Sequence, residues 1–425
     1  MAAVTDLRSP LAELLRGGAL RPVFQPIVDL GTGEVVGYEA LARGPAGSPL
    51  ESPAAMFSAA REAGRLAELD SACRSAALAA ARTADLRAPS SLWLNVEPEA
   101  VDDWRGAALP TAGPRLVLEV TERELALKPA ELLEAVMTLR RQGAAIALDD
   151  VGADPRSLAL LPFVAPEVVK LDMHLVRSEP TEEILRGLGT IHAWAARAGA
   201  RILAEGLETP EHLEQARRLG ATLGQGWLFG RPAPLPAAPP LPARRAVALL
   251  RRRLDEERGT PFEIGERDSR PEVGTKRELF AISRGLERHA ESLSDPAVVL
   301  VCFQSARRFT PTMATRYRAL AARAAFVGVF GTGLGREPVT GVRGADLREN
   351  ERLAGEWNVC VVGAGESRAL LARDLGDDGP DVERRFAYLV TEDPEVVLPA
   401  ARSLMRRIAA GAPTSAGPGP TPPEA

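Results

Sequence analysis

The sequence predicts an α/β barrel with a polar mouth, followed by a smaller α/β domain. Three observations carry this. Short apolar strands recur between residues 35 and 208, each closed by a carboxylate, an amide or a lysine; helical segments separate them; and a proline-dense stretch after Gly230 divides them from a second alternation of strands and helices. In barrels of this kind the chemistry sits at the carboxyl ends of the strands.

The most informative strand is Ala144 to Leu148, which runs into Asp149 and Asp150 and then Gly152. Adjacent side chains of an extended strand point to opposite faces, so two neighbouring carboxylates converge only where the strand has just ended. Carboxylates there suit hard divalent cations; capping of the following turn by Asp150 is the alternative. The same pattern recurs in Leu116–Glu122, with Glu119 and Glu122, and in Leu92–Asn95. It recurs again in Val168–Asp172, with Lys170 and Asp172, and in Arg201–Glu208, with Glu205 and Glu208. The earliest instance is Val35–Leu41, which carries Glu39.

In chain order, residues 7–17 read as a short helix, and residues 21–30 as an extended segment. The Gly31-Thr32-Gly33-Glu34 turn folds that segment back as a hairpin onto the strand with Glu39. Residues 53–82 read as one long helical region, with Asp70 on its solvated face. Helices are expected at 129–142, stopped by Gly143, at 181–198, stopped by Gly199, and at 210–219, stopped by Gly220. Residues 221–230 form a last short strand with Gln225 near its end. Residues 231–241 (RPAPLPAAPPL) are a stiff extended linker, and 244–259 a basic helix.

A second domain is expected from about Gly265 to Ala409. Its helices fall at 276–293, 315–324 and 394–408, and its strands at 297–303, 325–330, 357–362 and 385–390. Gly331-Thr332-Gly333-Leu334-Gly335 follows a strand, but without GxGxxG spacing or a trailing Lys-Ser/Thr it reads as a glycine turn rather than a phosphate loop. Residues 410–425 read as a disordered tail.

Composition narrows the function. A net charge of −5 over 425 residues gives no general electrostatic case for a nucleic acid polymer or a membrane surface. Cys73, Cys302 and Cys360 are too scattered for disulfides or zinc, which fits a reducing, cytoplasmic setting. No signal peptide and no membrane segment is expected.

Residues 8–234 resemble an EAL domain, the cyclic di-GMP phosphodiesterase module of bacterial signalling. The resemblance rests on Gln25-Pro26-Ile27, Glu39-Ala40-Leu41 with Arg43, Leu94-Asn95, Glu119-Val120-Thr121-Glu122 and Asp149-Asp150-Val151-Gly152. It continues through Lys170-Leu171-Asp172, Ala204 to Thr209, and Gly224-Gln225-Gly226 with Pro232. Residues 265–409 resemble a DICT domain, a sensory module, through Phe280–Arg284, Phe303–Thr310, Arg316–Arg318, Glu356-Trp357 and Arg384–Phe386.

The resemblance implies a (β/α)8 TIM-like barrel that hydrolyses cyclic di-GMP to linear pGpG with two divalent ions, Mg²⁺ or Mn²⁺. It implies that Glu39, Asn95, Glu119 and Asp149 hold one ion, and that Asp149 bridges to a second bound by Asp150. Glu205 would complete the second shell of that ion or bind it through water. Lys170 and Gln225 act at the attacking water. Gln25, Leu41, Arg43 and Asp172 contact substrate, and Glu122 and Glu208 anchor the loop after the aspartates. A homodimer through the barrel and an unknown signal for the second domain are also implied. One departure stands out: residues 151–157 read VGADPRS where active members usually read FGTGYSS. The second reading is therefore a cyclic di-GMP receptor or interaction module with little turnover. The second domain is expected to act on the barrel through residues 235–264, with the altered loop as receiver.

Overall fold

Helix α1 (Arg8–Gly17) leads into strands β1 (Val23–Asp29) and β2 (Val35–Leu41), the expected hairpin. Asp29 Oδ1 accepts hydrogen bonds from the N–H groups of Gly31 and Thr32, both at 3.0 Å, and Gly33 takes a φ of 76° that closes the turn. The computed structural model describes residues 7–97, 100–106, 108–121, 127–152, 156–177, 181–242, 259–267 and 269–409.

The long helical region divides into α2 (Pro53–Glu62) and α3 (Leu66–Thr83), because Gly64 adopts a left-handed φ of 65° between them. There follow β3 (Ser91–Asn95), α4 (Val101–Gly106), β4 (Arg115–Thr121), α5 (Pro129–Arg141) and β5 (Ala145–Val151). Next come α6 (Ser157–Val164), β6 (Val168–Leu171), α7 (Met173–Arg177) and α8 (Glu182–Ala198). β7 (Arg201–Ala204), α9 (Pro210–Arg218) and β8 (Leu223–Gln225) complete the series. Strands β1 to β8 close into a barrel in sequence order. Neighbours from β2 to β8 are parallel, whereas β1 runs antiparallel to both β2 and β8. A turn as short as that between β1 and β2 can return the chain only antiparallel; a parallel neighbour needs a crossover of a dozen residues or more.

Ile27, Val36, Trp93, Val117, Ala147, Val168, Leu203 and Leu223 fill the barrel interior. A larger apolar layer lies between the strands and the surrounding helices. Asp70 belongs to the buried part of the molecule, not to a solvated face: it is 4 % exposed. Its carboxylate accepts from Trp104 Nε1 at 2.8 Å, from the Glu97 N–H at 3.3 Å and from Arg74 at 3.4 Å. Burial, against the pull of those donors, pushes it up to about 6. We expect Asp70→Ala to lower stability by about 2–3 kcal/mol, because the Trp104 and Glu97 donors would be left unpaired. Urea unfolding checks this, and a loss below 0.5 kcal/mol contradicts it.

The second domain opens with α10 (Pro261–Gly265), β9 (Glu272–Thr275) and α11 (Lys276–Ser292). It continues through β10 (Val298–Ser305), α12 (Pro311–Ala321), β11 (Phe326–Thr332), β12 (Arg343–Asp346) and β13 (Glu356–Val362). β14 (Ser367–Asp374), β15 (Arg385–Thr391) and α13 (Pro394–Met405) end it. Its seven strands form one sheet in the order β12-β11-β10-β13-β14-β15-β9, parallel from β10 to β12 and antiparallel elsewhere. β9, β12 and β14 were not among the expected strands. Helix α12 starts four residues before the expected 315, since Thr310 caps it by accepting from the Met313 N–H. Gly331–Gly335 is the glycine turn: the Gly333 N–H already donates to Asp346 Oδ1 at 2.6 Å.

The linker begins by pairing Ala233 with Phe24 of β1. The basic helix expected at 244–259 lies, except for its last residue, outside the described residues, as does the tail. The two domains touch directly. Arg402 Nη2 of α13 donates to the Pro162 carbonyl of α6 at 2.6 Å, and the Ala130 N–H donates to the Ile408 carbonyl at 3.3 Å. No helix among the described residues is long and apolar enough to cross a membrane.

Candidate metal centre

The two aspartates meet for a reason different from the one the sequence suggested. β5 does not stop before them; it runs through Asp149 and Asp150 to Val151. Leu148 pairs with Val169 and Val151 with Leu171, so Asp149 and Asp150 together stand opposite the single residue Lys170. That is a β-bulge, and Asp150 accommodates it with a left-handed φ of 56°. The bulge, not a strand end, directs both carboxylates toward one place.

Lys170, on β6, is the centre of the group and is 1 % exposed. Its Nζ lies 2.8 Å from Glu205, 2.9 Å from Asp149 and 3.1 Å from Glu119. On the other side, Glu39 accepts from Asn95 Nδ2 at 3.1 Å and from Gln225 Nε2. Gln225 Nε2 also donates to Gln25 Oε1 at 3.0 Å, and Gln25 Nε2 donates to the Gly230 carbonyl at 3.2 Å. Strands β1 through β6 and β8, with Glu205 just past β7, each contribute a polar side chain to this mouth.

The charges do not balance. Glu39, Glu119, Asp149, Asp150 and Glu205 surround one ammonium. Burial would raise Glu39, but the Lys170 charge and the Gln225 and Asn95 hydrogen bonds hold it below its ordinary value. Burial and the Glu39 charge push Glu119 well above its own. Burial, opposed by Lys170, takes Glu205 up to about 8, and burial with the neighbouring Asp149 takes Asp150 up to about 6. Burial would lower Lys170, but the charges of Asp149, Glu119, Glu205 and Glu39 hold it well above its ordinary value.

These residues fit divalent cations. One oxygen from each of Asp149, Asp150 and Glu205 lies within 4.8 Å of the other two. Both Glu119 oxygens and Gln225 Oε1 are buried and receive no well-formed hydrogen bond. Buried acceptors in excess of the donors beside them, in a group rich in acids, are what hard cations satisfy. Glu205 stands inside the Asp149–Asp150 cluster itself, a closer place than the sequence reading gave it.

The remaining expected residues divide. Arg43 is half-buried beside the group, with Nη1 donating to the Ala42 carbonyl at 2.9 Å. Burial lowers its pKa while the Glu39 charge raises it. Leu41 and Asn95 line a cleft of about 350 Å³ whose far wall includes Phe57, Asp70 and Arg74. Asp70 and Arg74 were missed as cleft residues; the available signal was an Asp and an Arg four apart on an otherwise alanine-rich helix. Asp172 turns to its own neighbour, accepting from the His174 N–H at 2.7 Å. Glu208 pairs with Arg177 at 2.7 Å. Glu122 and residues 153–155 of the altered loop lie outside the described residues.

Residues 8–232, just over half of the chain, match the family described as EAL domain. The chain belongs to the EAL-domain family. Residues 263–375 of this EAL protein match the sensory domain in diguanylate cyclases and two-component systems, DICT. The seven-stranded sheet and α13 extend beyond that match to Met405. Among relatives, the cyclic di-GMP phosphodiesterase RocR of Pseudomonas aeruginosa is 31 % identical over 247 residues, 54 % of this chain and 62 % of RocR. NbdA of the same organism, also a cyclic di-GMP phosphodiesterase, is 30 % identical over 55 % of this chain and 31 % of its own length. The oxygen sensor protein DosP of Escherichia coli is 29 % identical over 55 % of this chain and 31 % of its own. The match thus spans less than two thirds of each of these relatives. Among solved structures, the calcium and cyclic di-GMP complex of Klebsiella pneumoniae BlrP1 is 29 % identical over 51 % of this chain and 56 % of that one, with a TM-score of 0.45.

Proposed function

We propose that the EAL barrel hydrolyses cyclic di-GMP to linear pGpG with two divalent cations, Mg²⁺ or Mn²⁺. The observation that carries this reading is the mouth itself: five acidic side chains around one lysine, offering more buried acceptor oxygens than one ammonium can satisfy. Two such ions, when bound, lower the pKa of a water and neutralise charge on the phosphate. Glu39, Asn95, Glu119 and Asp149 would hold one; Asp149, Asp150 and Glu205 would hold the other. Gln225 fixes the Glu39 carboxylate, and Gln25 fixes Gln225 in turn. Lys170 gathers the Glu119, Asp149 and Glu205 side chains around its ammonium and would orient the attacking water from their centre. Arg43 meets a substrate phosphate, for which its planar fork is suited, while Leu41 and Asp172 bound the substrate.

The test is incubation of purified full chain with cyclic di-GMP and Mn²⁺, followed by chromatography. Linear pGpG is expected. Tight binding of the dinucleotide with no product at high enzyme concentration would replace this reading with the receptor, which the altered residues 151–157 favour.

Regulation by the second domain belongs to the same proposal, with its route revised from the linker to a direct contact. Helix α13 rests on α6, and α6 is the helix that follows the Asp149–Asp150 bulge. Leu398→Asp in α13 places a charge in the apolar seam between the domains. A several-fold change in kcat or dinucleotide affinity is expected. A folded variant with both values unchanged removes this route. A homodimer through the barrel is tested by sedimentation of the full chain.

A further inference from the structure

One end of the second domain's sheet gathers charged side chains from separate parts of the chain. Lys276 opens α11 directly after β9, Arg308 lies in the turn after β10, Asp374 ends β14, and Arg384 immediately precedes β15. Asp381 sits in the connection between β14 and β15. Lys276 Nζ pairs with Asp381, Arg384 Nη1 lies 3.6 Å from it, and Arg308 Nη1 lies 3.8 Å from it. Arg384 also pairs with Asp374, which accepts from Gln304 Nε2 at 3.4 Å.

The exposures are the reverse of what an ion network serving stability alone requires. The Lys276, Arg308 and Arg384 side chains are 19 %, 29 % and 21 % exposed, but the carboxylate they share, Asp381, is 64 % exposed. Partly buried like charges held together are unfavourable unless something anionic fills the space between them. Arg384 registers this: burial and then the Arg308 charge lower its pKa. Gln304 stands at the same sheet end with a left-handed φ of 65°, although it is not a glycine and is 9 % exposed. It lies near the carboxyl end of β10, where the sheet changes from the parallel neighbour β11 to the antiparallel β13.

We propose that this sheet end binds a small molecule carrying a phosphate group, and that Asp381 is the internal carboxylate the ligand displaces. With Asp381 swung out, three cations face the single carboxylate of Asp374, an excess that a dianionic phosphate group balances. Two guanidinium forks and an ammonium supply charge-assisted donors for its oxygens.

The test is calorimetric titration of inorganic pyrophosphate into the full chain, freed of divalent ions on a chelating resin. Saturable one-site binding is expected. Asp381→Asn should tighten it, and Arg308→Gln or Arg384→Gln should weaken it, by about tenfold each, the size of one charge-assisted contact. The gain in Asp381→Asn cannot arise from a variant that fails to fold. No saturable binding in either the wild type or Asp381→Asn overturns the proposal. So does binding that is unchanged in both arginine variants, since it would then occur elsewhere on the chain.

Discussion

Glu39→Ala is expected to abolish release of linear pGpG, lowering kcat by about 10³-fold or more, as befits losing several kcal/mol of charge stabilisation. The argument starts from the Glu39 environment. Its carboxylate joins Asn95 on β3 to Gln225 on β8, and Gln225 is in turn held by Gln25 on β1. Removing it takes away one proposed ion ligand and leaves Asn95 and Gln225 without the acceptor that orients them. A conservative control separates the two effects. Glu39→Gln keeps the size and a carbonyl acceptor but loses the charge, so it should keep the fold and remain nearly as inactive. The measurement is product formation at saturating Mn²⁺, with the melting temperature as the check on folding. A Glu39→Ala protein that turns over within tenfold of the wild type would remove Glu39 from the reacting site.

Much of the barrel is legible from sequence because its two periodicities differ. Runs such as Leu116–Leu118 and Ala144–Leu148 are apolar without interruption, as strands covered on both faces must be, and the acids and amides that follow them mark one rim. What is not legible depends on partners distant in sequence. The β-bulge at Asp149–Asp150 exists only in register with β6, twenty residues on, so the sequence offers two adjacent carboxylates and no account of how they meet. Asp70 is buried because Trp104 and the Glu97 backbone reach it from beyond β3, and helical spacing within residues 53–82 carries no trace of them. In the second domain, β14 carries Arg368 and Arg373 near its ends and β9 has an exposed Glu272-Val273 start, so neither reads as a covered strand. The seam between α13 and α6 is likewise a property of docking: Arg402 bonds a backbone carbonyl 240 residues away.

Lys170→Ala should be the most destabilising single change in the barrel mouth when divalent ions are absent. The ammonium is 1 % exposed and lies within 3.1 Å of Glu119, Asp149 and Glu205. Removing one partner of a buried ion group leaves uncompensated charge and costs about 3–5 kcal/mol. The loss is partly relieved because Glu119 and Glu205 already sit above their ordinary pKa values and can take up protons. Cations that bind only the folded state stabilise it in proportion to the logarithm of their concentration. Lys170 competes with such cations for the same oxygens, so the variant should recover more stability on adding Mn²⁺ than the wild type gains. Urea unfolding of both proteins, with chelator and with millimolar Mn²⁺, gives the four numbers needed. Turnover should stay at least about 10²-fold below wild type even where Mn²⁺ has restored the fold, the lower range of what a positioned proton-handling group contributes. Equal stability of the two proteins in chelator would show that Lys170 does not hold the carboxylates together. Recovery of both stability and turnover with Mn²⁺ would show that it holds them and does nothing further in the reaction.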